Sequence, residues 1–127
     1  MQHGAQAYAR TSQAAASPRE LEAAALTKAA ARLQAIHDNW QGKQADLPEA
    51  LHFNRKLWTI LVTSVTDAAN PIDPAVKQNI VELGMFTFDR TVACLAEPEA
   101  GKLTALVNIN RELAAGLRTP VQASKAA

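Results

Sequence analysis

The sequence predicts an all-α protein, a small antiparallel helical bundle of about four main helices with room for an extra N-terminal helix. Three features carry that expectation. Alanine occurs 27 times in 127 residues, against 5 Gly and 5% aromatics, and alanine loses no side-chain entropy on entering a helix. Helix-start signals recur, each a capping side chain with proline in the following turn. Between them, apolar residues return at spacings of three and four, the period of a helix face.

The first start is Ser17-Pro18-Arg19-Glu20. Serine caps, proline takes the first helical position, and a glutamate three residues after the cap completes a capping box. A helix is expected from Pro18 to about Trp40, with Leu26, Ala29, Leu33, Ile36 and Trp40 on its buried face and Gly42 at its end. Asp46-Leu47-Pro48-Glu49 repeats the logic with aspartate as cap. The second helix should span Leu47 to about Val65, burying Leu51, Asn54, Trp58, Leu61 and Val65. Leu57 and Val62 widen that face and Phe53 and Ile60 flank it, so more than half of the circumference is apolar.

Ala69-Asn70-Pro71-Ile72 reads as a loop, and Asp73-Pro74 starts a third helix that should run to about Ala96. Its expected stripe is Val76, Ile80, Leu83, Thr87, Thr91 and Leu95, beside a second apolar flank of Met85, Phe86, Phe88 and Val92. Pro98 stops it. A fourth helix, Leu103 to about Leu117, places Leu103, Leu106, Val107, Asn110, Leu113 and Leu117 together. The bundle domain therefore covers residues 17–118. Residues 1–16 have helical composition but only Tyr8 as a sizeable anchor, which suits a fraying or partner-ordered segment, and residues 119–127 read as a disordered tail.

Thirteen basic and twelve acidic residues give a formal charge of +1. That balance lacks the cationic excess of phosphate-neutralising proteins, so direct nucleic-acid binding is not expected. A single cysteine cannot form an internal disulfide, which suits the cytoplasm. No run approaches 18 apolar residues, so no membrane span is expected.

No motif signals catalysis. His3, His37 and His52 share no ligand spacing, and HExxH, CxxC, GxSxG, P-loop and GxGxxG patterns do not occur. Cys94 reads as a small buried hydrophobe. The chain is therefore expected to be no enzyme, and no cofactor or metal is expected. Two polar pairs stand out instead: Asn54-Arg55 inside the second helix and Asn110-Arg111 inside the fourth. The asparagines lie in register with apolar stripes, so they either fix the register of the bundle or contact a bound helix. Exposed-apolar candidates are Trp40, Phe53, Trp58, Phe86 and Phe88.

Three segments resemble a known family. Ala5 to Leu33 is similar to the start of the alphaproteobacterial flagellar biosynthesis regulator FlaF. Ala50 to Leu61, ALHFNRKLWTIL, is similar to its ALxxNRxLWxxF segment, and Val107 to Arg111 with Gly116-Leu117 resembles its xINRxxxxGL ending. The resemblance implies a cytoplasmic flagellum-assembly factor that binds flagellin as an export chaperone, with FlbT as a further partner. The alternative it leaves open is a post-transcriptional regulator acting on flagellin mRNA directly or through FlbT. Candidate protein-binding residues are Tyr8, Phe53, Asn54, Arg55, Trp58, Phe86, Asn110 and Arg111. A homo-oligomer, with the spare apolar face buried against a second copy, is a further option.

Overall fold

The computed structural model describes residues 17–119. Four long helices follow one another: α1 (Pro18–Asp38), α2 (Leu47–Thr66), α3 (Pro74–Ala96) and α4 (Leu103–Arg118). A one-turn helix, Trp40–Lys43, and a 3-10 turn, Gln44–Asp46, link α1 to α2; a second 3-10 turn, Ala100–Lys102, leads into α4. Tyr8 and the calls on residues 1–16 lie outside the described residues, as does the tail beyond Thr119.

Local chemistry sets most boundaries. Ser17 Oγ accepts from the Glu20 backbone N–H at 3.1 Å, and Asp73 Oδ1 accepts from that of Ala75 at 2.8 Å. Each satisfies one of the orphan donors at a helix start. The Glu20 carboxylate does not close the expected capping box: it accepts from Arg118 Nε at 3.2 and 3.3 Å, tying the start of α1 to the end of α4. At the end of α3, Lys102 Nζ donates to the Glu97 carbonyl at 2.7 Å, placing a cation at the negative end of that helix.

Two expected signals act differently. Asp46 makes no side-chain cap. It already has helical backbone angles within the 3-10 turn, and the Leu47 N–H bonds back to Gln44 O, so the turn performs the capping. Gly42 does not end α1. The break falls at Asn39 (φ −130, ψ 58), and Gly42 sits inside the next turn, where a Cβ would press on the Asn39 side chain.

The bundle runs up-down-up-down. α1 packs most extensively on α4, α2 packs on α3 and on α1, and the α3–α4 contact is slight. Each helix contributes buried positions at alternating spacings of three and four. In α2 these are Leu47, Leu51, Asn54, Trp58, Leu61 and Val65. The core divides into two apolar layers. One holds Leu33, Ile36, Leu47, Leu51, Cys94, Leu103 and Leu106; the other holds Leu26, Trp58, Leu61, Val65, Ile80 and Leu117.

The third helix departs from its expected stripe. The buried line is Ile80, Gly84, Thr87, Thr91 and Cys94, whereas Val76 and Leu95 are 44% and 45% exposed. Small residues face α2 because the two helices approach closely: a Cβ built on Gly84 would overlap Val62 Cγ2. Five large apolar side chains of α3, Val76, Met85, Phe86, Val92 and Leu95, are exposed instead.

Among the described residues, no helix is long and apolar enough to cross a membrane.

Candidate functional site

Between the two apolar layers lies a layer of polar side chains. Trp58 Nε1–H donates to Asn110 Oδ1 at 2.8 Å. Asn110 Nδ2 donates to Asn54 Oδ1 at 2.7 Å and reaches the Leu26 carbonyl at 3.4 Å. Indole is only a donor, so it fixes which end of the Asn110 amide faces Trp58. That choice in turn sets the orientation of Asn54. One amide thus joins α1, α2 and α4 at a single level, and Asn54, Trp58 and Asn110 are all 0% exposed.

Asn54, Trp58 and Asn110, named among the candidate partner contacts, lie inside the bundle, the placement of the register-fixing alternative. All three are consumed by the interior, and reaching them would require opening the bundle. A one-heptad slip of α4 would move Asn110 into an apolar layer, so the network also sets register. The cost of the arrangement is an Asn54 Nδ2 that is buried without a hydrogen-bond partner.

The surface carries a different kind of feature. Among the described residues, five of the seven exposed large apolar side chains belong to α3: Val76, Met85, Phe86, Val92 and Leu95. Part of this surplus borders a groove of about 910 Å³ that runs along the outer face of α2. Phe53, Ile60, Phe88 and Val92 supply its apolar surface. Glu49, His52, Phe53, Lys56, Thr59 and Ile60 form its floor at helical spacing, Arg32 of α1 is one wall, and α3 is the other.

The groove is edged with cations. Arg32, Arg55 and Lys56 line it, against Glu49 as the one carboxylate. The Arg32 guanidinium lies 5.2 Å from the centre of the Phe53 ring and Lys28 Nζ lies 5.7 Å from it, within cation–π range. Arg55 Nη2 is 3.2 Å from His52 Nδ1. Among the described residues the carboxylate ion pairs lie elsewhere, at His37–Asp38, Lys102–Glu99 and Arg118–Glu20. The groove cations therefore keep their charge available.

Of the expected contact residues, the structure brings Phe53 and Arg55 into this groove. Phe86 does not line it; that ring stacks under Arg90, 5.0 Å away. Arg111 is exposed on α4 and also lies outside it. Arg32, Lys56, Ile60 and Val92 were not singled out as contacts. Lys56 and Ile60 follow the helical spacing of the outer α2 residues, a signal overshadowed by the buried stripe of the same helix; Arg32 and Val92 come from α1 and α3 and carried no such signal.

Among the described residues no group of three or more His, Cys, Asp or Glu could hold a metal ion. Cys94 is fully buried, and burial pushes its thiol above the ordinary range, outweighing the nearby Arg90 and Lys102 charges. A thiol in that state is a poor nucleophile. Native protein should react with a thiol-specific chromogenic disulfide at least about a hundredfold more slowly than protein unfolded in guanidinium. Fast, complete labelling of the native chain would contradict the assigned packing.

The family model described as Flagellar protein FlaF matches residues 4–117. The chain belongs to the FlaF family of flagellar proteins. The match covers nearly the whole chain, so the bundle up to Leu117, including the Asn54–Asn110 layer and both walls of the groove, lies within the FlaF region. No curated protein and no solved structure matches the chain. The FlaF assignment makes the protein a flagellar one.

Proposed function

We propose that this FlaF protein is a cytoplasmic, non-enzymatic factor that binds flagellin before export and thereby promotes flagellin synthesis and secretion. One observation carries the reading: α2 and α3 leave a wide apolar surface and a groove on a bundle whose interior is already complete. Apolar side chains that line a groove on the surface of a small domain mark an interaction surface. Unassembled flagellin has amphipathic terminal segments whose apolar faces need cover, and a helix in a groove provides it. Export requires release, so moderate affinity suffices.

The test is a pull-down of purified full-length flagellin and of flagellin lacking its terminal segments. Binding to the full-length protein and loss of binding on truncation is the expected result. Equal binding to both, or to neither, would overturn the reading. The complex should also survive moderate salt, because its core is apolar. A complex with flagellin mRNA would instead weaken steeply as phosphate counterions compete.

A further inference from the structure

We infer that the groove along α2 is the docking site, and that its occupant is an amphipathic helix of flagellin carrying acidic residues beside its apolar face. The inference rests on the flagellin reading above and adds the surface and the chemistry of the segment it takes. The apolar surface of Phe53, Ile60, Phe88 and Val92 fits the buried side of a helix, with anchors at i, i+3 or i+4, and i+7. Glu49 to Ile60 spans eleven residue steps of α2, roughly 17 Å at ~1.5 Å each, which accommodates about three turns of a partner.

Charge selects among occupants. Arg32, Arg55 and Lys56 edge the groove, and their positive field steers and orients a segment with acidic flanks. The ends of the chain do not supply one: residues 2–16 contain Arg10 and residues 120–127 contain Lys125, and neither stretch contains Asp or Glu. A second copy docked about a two-fold axis would set this cationic edge against itself. A partner segment bearing Asp or Glu meets both requirements.

The experiment titrates flagellin into the full chain by calorimetry, with light scattering on each protein alone. Ile60 and Val92 are 58% and 64% exposed, so the double variant Ile60→Ser/Val92→Ser should keep its helical circular dichroism and melting temperature. It should bind flagellin about tenfold or more weakly. Arg55→Glu/Lys56→Glu should slow association several-fold and flatten its salt dependence. Phe86→Ser, outside the groove, should bind as the parent does.

If the parent binds flagellin and the Ile60/Val92 variant binds equally well, the groove assignment fails while the flagellin reading stands. If the parent binds no flagellin, both fail. If the parent is a dimer that Ile60→Ser/Val92→Ser converts to monomer, the occupant is a second copy and the inference is overturned.

Discussion

Asn110→Ala should destabilise the bundle by about 3–4 kcal/mol. The substitution removes one side chain but strands two others. Trp58 Nε1–H loses its acceptor and Asn54 Oδ1 loses its donor, and both are sealed from water at 0% exposure. Each stranded group costs about 1–3 kcal/mol, and the melting temperature should fall by more than about 10 °C. The coupling is testable. In a Trp58→Phe background the indole donor is already gone, so Asn110→Ala should cost less there. Strictly additive losses would mean that the 2.8 Å contact contributes nothing to stability. A leucine at 110 should not rescue, because Asn54 Oδ1 remains without a donor.

Gly84→Ala should destabilise by about 1–2 kcal/mol, although alanine gains about 1 kcal/mol over glycine in helix propensity. The reason is the overlap of a new Cβ with Val62 Cγ2. Valine in a helix has one strongly preferred rotamer, so Val62 cannot turn aside cheaply and α3 must move away from α2. Trp58, whose Cε3 lies 3.6 Å from the Cβ position, would lose packing as α3 shifts. The sign should reverse once Val62 is shortened. In a Val62→Ala background, Gly84→Ala should be neutral or stabilising by up to about 1 kcal/mol, as helix propensity then acts alone. Chemical denaturation of the four proteins measures this directly. Destabilisation that persists in the Val62→Ala background would place the constraint elsewhere.

These two positions also show how unevenly the structure could be read from the sequence. Helix number and order were legible because proline, serine and aspartate act locally: Ser17-Pro18 and Asp73-Pro74 start helices by bonds within three residues. The stripes of α1, α2 and α4 were legible because large apolar residues mark them. The stripe of α3 was legible only in part: Ile80, Thr87 and Thr91 were placed in it, but hydrophobicity points to Val76 and Leu95 where close packing against α2 selects Gly84 and Cys94. Which helix an element packs against, and how tightly, is a tertiary property. Asp46 and Gly42 were misread for a related reason: a 3-10 turn and a backbone break at Asn39 do the work those residues usually do.

The site divides along the same line. Asn54 and Asn110 stood out because a polar residue in an apolar stripe is conspicuous, and whether they faced the interior or a partner could only be settled by packing. The groove was largely hidden. Arg32, Ile60 and Val92 come from three helices and share no sequence signal, and Phe53 and Arg55 were the two of its residues singled out as contacts. What the sequence did show was surplus apolar surface on its second and third helices, and that surplus is where the groove lies.

Photo-crosslinking at three surface positions of the full chain tests the proposed flagellin site most directly. A photoreactive residue in place of Ile60 lies in the groove, one in place of Phe86 lies on the outer face of α3, and one in place of Arg111 lies on α4. With purified flagellin present, Ile60 should give the dominant crosslinked product, mapped to a terminal segment bearing acidic residues, with little from Phe86 and none from Arg111. A dominant product from Arg111, or one from Ile60 that joins two copies of this chain, would contradict the account.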